Sequence, residues 1–214
     1  MSRRLTSMSL LALLVLGGCG TSPETTFVSL SSSASLLGRA YEGSPLAIGE
    51  VELPPGHDRQ KLVRRGKGAR LEVYDSVQWG APLGREVRRS IAISMSENLP
   101  KGKFILPDQP APPNGLHVLN LVFKTLSARP IAEGRPTPDR GAEGESVAEP
   151  AGVMEAEAHW TLLTQAEQKR IASGVVEDRA ALAAMNPIVI AEATDAAIQD
   201  LVEALLEEMT TLDR

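Results

Sequence analysis

The chain has 214 residues, 43% hydrophobic and 23% charged, which suits the core of one domain and excludes global disorder. Aromatic residues make up only 3%, which argues against a stacking platform for bases or sugars. The net charge is −5, with no block of like charge, so nucleic acid is a poor partner.

The N-terminus reads in three parts. Met1 to Arg4 is short and basic, Leu5 to Leu16 is apolar apart from Thr6, Ser7 and Ser9, and Leu16-Gly17-Gly18-Cys19 follows. This is the layout of a signal peptide, and the apolar run is too short to span a bilayer. The last four residues resemble the bacterial lipobox, whose small residues lie extended in a peptidase cleft and whose thiol takes a diacylglycerol. Cleavage between Gly18 and Cys19 is expected, leaving Cys19 acylated on sulfur and on nitrogen. Each buried methylene contributes about 0.8 kcal/mol, so two or three acyl chains anchor stably. No cofactor is expected beyond these covalent lipids. Loss of residues 1–18 leaves 20 basic residues against 27 acidic, a net charge of −7. Cys19 is the only cysteine, so the domain has no disulfide even where the compartment would permit one. Gly20 follows it rather than aspartate, which under the proteobacterial sorting rule favours the periplasmic face of the outer membrane.

Along the mature chain, residues 19–26 read as the lipidated N-terminus and a short polar tether. Thr25 to Ser33 reads as a strand closed by serines, and Leu46 to Gly56 as a second strand stopped by Pro54-Pro55-Gly56. His57 to Arg65 suggests a short helix with Asp58 in its first turn. Ala69 to Trp79 alternates, with Leu71, Val73 and Asp75 on one side and Glu72, Tyr74 and Ser76 on the other. Pro82 opens a helix where its missing N–H costs nothing. Leu83, Val87, Ile91, Met95 and Leu99 recur every fourth residue, with Arg85, Glu86, Arg88 and Arg89 on the polar face. Phe104 to Leu106 is a short strand, and Leu116 to Ala128 a long one with apolar residues on both faces, as near a sheet centre. Pro130 to Pro150 holds four prolines, three glycines and five acidic residues and reads as a flexible insertion. Val153 to Leu163 alternates, with Ala156, Ala158, Trp160 and Leu162 inward and Glu155, Glu157, His159 and Thr161 outward. Gln168 to Arg179 is its hairpin partner. From Pro187 a terminal helix carries Ile198, Leu201, Leu205, Met209 and Leu212 at helical spacing. Residues 27–214 thus form a single α/β domain of α+β type. Its expected core is a mixed or mainly antiparallel sheet of about six or seven strands, packed by a central and a C-terminal helix.

A search for catalytic chemistry finds little. His57, His117 and His159 are about forty to sixty residues apart, and a metal site would need a cluster. His57 and His159 are expected at the surface. No GxSxG nucleophile elbow occurs. Asp58 with Arg59 has two readings, a partner contact or a helix cap or turn bond. Trp79 is either a core anchor or a lipid contact. Arg85, Arg88 and Arg89 either meet lipid phosphates or an acidic partner, or form a solvated face pairing with Glu86.

The chain resembles the PqiC-like ABC-type transport auxiliary lipoproteins. The resemblance rests on the lipobox cysteine, the serine-ended strand Thr25 to Ser33, the segment Ile48 to Arg65, the segment Ser76 to Pro100, the late tryptophan strand and the closing helix. The resemblance implies an outer-membrane lipoprotein working with an MCE-domain protein and inner-membrane components in lipid movement between the two membranes. It also implies ring-like homo-oligomers, a non-enzymatic role and an α/β sheet packed by helices. A second reading is a lipid-binding module that holds an acyl chain in an apolar cavity. A third, an envelope hydrolase, lacks a catalytic constellation.

Overall fold

The computed structural model describes residues 24–32, 41–112, 115–131 and 150–212. The Gly18-Cys19 site and most of the Pro130 to Pro150 insertion lie outside the described residues. Among the described residues the chain runs β1 (Thr26–Val28), β2 (Leu46–Glu52), β3 (Lys61–Arg65), β4 (Leu71–Trp79), α1 (Leu83–Asn98), β5 (Phe104–Ile105), β6 (His117–Pro130), β7 (Gly152–Thr164), β8 (Arg170–Leu182) and α2 (Pro187–Leu212).

The fold is α+β, but its strands form two sheets instead of one sheet of six or seven. A five-stranded sheet has the order β5-β2-β6-β7-β8, and a three-stranded sheet the order β1-β4-β3. Alternation in a sequence assigns faces to a strand and does not choose its neighbours. Here the choice is local. The turn Gly66–Arg70 closes β3 onto β4 at small entropic cost, with Gly66 N–H donating to Arg70 O at 2.9 Å. The small sheet packs beside β6, and Arg65 N–H donates to Ser127 Oγ at 3.1 Å.

His57 to Arg65, expected as a helix, is a turn followed by β3. Leu62 joins Val77 and Trp79 in the core, while Val63 pairs with Val73 across the ladder. Using two consecutive side chains on opposite faces is a property of a strand, and one short helical stripe cannot supply it. The first strand is shorter than expected, three residues, because Ser31 is drawn away toward the helices.

The rest follows the apolar periodicity. β6 is the central strand of the large sheet, parallel to β2 and antiparallel to β7, which explains apolar residues on both its faces. Ala156, Ala158, Trp160 and Leu162 of β7 are all buried and His159 is exposed. β8 completes the hairpin. On α1, Leu83, Val87, Ile91 and Met95 are buried, as is Leu99 at its end. Glu86, expected on the polar face, is instead buried beside the Gly80 turn, at the positive end of the helix. On α2, Ile198, Leu201, Leu205 and Met209 are buried, but Leu212, expected in the same stripe, is exposed in the last turn. α2 lies across β7 and β8, α1 across β2, and the helices touch each other.

Candidate functional site

The first N–H groups of a helix have no partner within it. At α1 the turn that holds Asp58 and Arg59 supplies them. Leu83 N–H donates to Arg59 O (3.2 Å) and Gly84 N–H to Asp58 Oδ1 (3.0 Å). Pro82 has no N–H to satisfy, and its carbonyl accepts from Arg85 and Glu86. Trp79 N–H donates to Gln60 O at 2.6 Å, so the same turn is also stitched to β4. Of the two readings of Asp58, the structure displays the cap: an acidic side chain, brought from a distant turn, at the positive helix end.

His57, expected at the surface, is buried beneath this turn. Its Nδ1 lies 3.3 Å from Pro55 O, and its Nε2 is buried without a partner. Burial holds its pKa below the usual 6.5, and the charges of Arg65 and Arg59 push the same way. The turn is folded inward by Pro54-Pro55-Gly56, with His57 N–H donating to Pro54 O, which carries the imidazole under the chain.

Trp79 is 1% exposed and belongs to the core. Arg85, Arg88 and Arg89 form an exposed row on α1. Arg88 Nη2 donates to Ile48 O (3.3 Å) and ties the helix to β2, whereas Arg85 and Arg89 make no ion pair among the described residues. The expected pairing with Glu86 does not form, since that carboxylate is buried.

A second cluster has no motif in the sequence. Ser31, just past β1, is gripped by both helices. Its N–H and Oγ donate to the two carboxylate oxygens of Asp195 on α2, at 2.8 and 2.6 Å. Its carbonyl accepts from Ser90 Oγ on α1 (2.6 Å) and from Gln199 Nε2 on α2 (2.8 Å). Ser94 Oγ donates in turn to Gln199 Oε1 at 3.1 Å. The serine run was the only available signal, because Asp195 is 164 residues away.

A small cleft of about 210 Å³ is lined by Tyr41, Leu162, Ile171, Ala172, Met209 and Leu212, and two larger clefts lie elsewhere on the surface. One, of about 450 Å³, is lined by Glu155, Glu157, Glu177, Asp178 and Arg179 on β7 and β8. There Arg129 grips Glu155 through two bonds of 2.8 Å and holds its carboxyl below the usual range, while burial pushes Asp178 up. The other, of about 620 Å³, lies between the Gly66–Gly68 turn and the end of β6 and is lined by Arg65, Lys67 and Arg129. Among the described residues, no three carboxylate, histidine or cysteine side chains gather to hold a metal, and no helix is long and apolar enough to cross a membrane.

The class these features define is a two-sheet α+β domain whose N-terminal segment is clamped between its helices and whose first helix is capped by a preceding turn. Residues 30–130 match the family described as the ABC-type transport auxiliary lipoprotein component. The matched span runs from just before the Ser31 clamp to the end of β6 and contains the Asp58 turn and α1. A solved structure of a Xanthomonas campestris protein of the DUF330 family is similar, with 12% identity, a TM-score of 0.64, and coverage of 87% of this chain and 96% of that one. A solved structure of an uncharacterized protein is also 12% identical, with a TM-score of 0.61 and coverage of 87% of this chain and 99% of that one. At such identity the likeness is one of fold. No curated protein matches the chain.

Proposed function

We propose that the protein is a non-enzymatic lipoprotein, anchored through Cys19 to the periplasmic face of the outer membrane, that docks an MCE-type lipid transport assembly. Its partners would be an MCE-domain protein and inner-membrane transport components. It would act as a ring-like homo-oligomer and contribute to envelope integrity. The observation that carries the reading is the match of residues 30–130 to a transport auxiliary lipoprotein family, in a chain whose residues 16–19 resemble a lipobox. One feature of the domain supports it. The two larger clefts are open to solvent, one lined by Glu155, Glu157, Glu177 and Asp178 and the other carrying Arg65, Lys67 and Arg129, as suits charged contact surfaces better than an acyl tunnel.

The test is a pull-down from envelope membranes with the Cys19-lipidated protein as bait, read by mass spectrometry. Recovery of an MCE-domain protein is expected. Recovery of the bait alone would sink the assigned partner and leave lipid binding by the domain as the next reading.

A further inference from the structure

The chain is acidic as a whole, yet residues 59–70 hold Arg59, Lys61, Arg64, Arg65, Lys67 and Arg70 and no acidic residue. Read along the sequence this is no continuous block, because Leu62, Val63 and two glycines interrupt it. The β3–β4 hairpin draws these charges together. Lys61 pairs with Asp75 and Arg64 with Glu72, but Arg59, Arg65, Lys67 and Arg70 make no ion pair among the described residues.

The strand register adds a second property. Phe27 lies beside Gln78, Gln78 opposite Lys61, Val63 opposite Val73, and Arg65 opposite Leu71. Directly paired residues share a face, and so do residues two apart on one strand. Between Val73 and Gln78 the register shifts, which reverses the alternation along β4, so one face of the small sheet carries Phe27, Lys61, Arg65, Leu71 and Val73, with Val63 buried among them, and the other buries Leu62, Val77 and Trp79 in the core. Phe27 is 67% exposed, Val73 41% and Leu71 39%, three of the seven exposed large apolar residues among those described.

We propose that this face and its basic hairpin form a contact surface for a bilayer of anionic phospholipid. Interfacial elements combine exposed large apolar side chains with lysine and arginine, the first entering the headgroup boundary and the second meeting phosphates. A nucleic acid would use the charges and leave Leu71 and Val73 idle, whereas a bilayer uses both. The 620 Å³ cleft beside the Gly66–Gly68 turn, lined by Arg65 and Lys67, offers a place for a headgroup phosphate. Distance agrees as well. Phe27 is the eighth residue after Cys19, so an extended tether holds it within about 28 Å of the acylated cysteine. That last point rests on the lipidation reading above; the charge and the face do not.

The experiment separates the two. The mature chain from residue 19, with Cys19→Ser so that it bears no acyl group, is floated with vesicles of phosphatidylcholine alone or with phosphatidylglycerol added. Salt-sensitive binding to the anionic vesicles only is expected. Lys67→Gln with Arg70→Gln, both in the exposed turn, should weaken it roughly tenfold or more. Phe27→Ser should weaken it independently, and Arg85→Gln on α1 should leave it unchanged. Matching thermal melts exclude unfolding as the cause. Absence of binding, equal binding to neutral vesicles, or binding indifferent to the hairpin variants would overturn the proposal. Retention on polyglutamate without vesicle binding would overturn it too, and would assign the surface to an acidic protein partner. None of these outcomes depends on whether Cys19 is lipidated.

Discussion

Asp58 does its structural work from outside the helix it caps, 26 residues before the amide it binds. Asp58→Ala should cost about 1 kcal/mol of stability in urea unfolding, and Asp58→Asn much less, since the amide oxygen still accepts. Equal losses for the two would mean that charge at the helix end, and not the hydrogen bond, carries the effect. His57, just before it, gives the fold a pH dependence. Burial favours its neutral form, so its folded pKa lies under the 6.5 of the free side chain, and His117 is shifted the same way by burial. Below 6.5 the unfolded chain takes up a proton that the folded chain resists, so stability is lost as pH falls through that window. Urea midpoints should decline between about pH 7.5 and about pH 5.5, and His57→Gln should flatten the decline. An unchanged slope in the variant would remove His57 as its source. At this scale the sequence revealed candidates and not their settings. Asp58 could be read as a cap or a contact because the amide it caps lies beyond any local pattern. His57 looked superficial because a Pro-Pro-Gly turn usually lies at the surface, and nothing local shows that this one folds inward.

Elements were more legible than residues. The stripe of α1 and the alternation of β7 are written in spacings of about four and two residues, and the structure buries Leu83, Val87, Ile91 and Met95, and Ala156, Ala158, Trp160 and Leu162, accordingly. What spacing omits is the neighbour. Gly174 of β8 lies opposite Trp160, and the indole covers it so closely that a methyl there would sit 2.7 Å from Nε1. Gly174→Ala should therefore cost about 1–3 kcal/mol and alter the near-ultraviolet circular dichroism of the tryptophans. A wild-type spectrum and stability would show that the ring yields without strain. Gly49 has a similar role in β2. One extra residue bulges between Ile48 and Val51, and Asn120 of β6 fills the gap by accepting the Glu50 N–H at 2.8 Å. The Ile-Gly-Glu-Val segment, one of those carrying the family resemblance, thus marks a bulge that its alternation alone does not reveal.

At the scale of the molecule, the expected single sheet became two because pairing between strands is settled by turns and by distant side chains. Arg65 to Ser127 and Ser31 to Asp195 join parts of the chain 62 and 164 residues apart. No periodicity encodes such partners. The Ser31 clamp is open to direct test. Asp195→Ala should raise hydrogen exchange at the Ser31 amide and along β1, while β6 and β7 stay protected, because their ladder is untouched. Uniform acceleration would mean that the clamp supports the whole fold and not its N-terminal segment alone.

The clamp also has a mechanical side. A pull on the N-terminal end of the chain along its axis enters β1 lengthwise. β1 runs parallel to β4, so its three residue pairs are loaded together in shear instead of being peeled apart singly. Whatever force passes β1 next meets Ser31, whose carbonyl, amide and hydroxyl divide it between α1 and α2. Tension is thereby spread into the two helices before it reaches the hydrogen-bond ladder of the large sheet, as a cable clamp keeps a tug on the cord from the wiring inside.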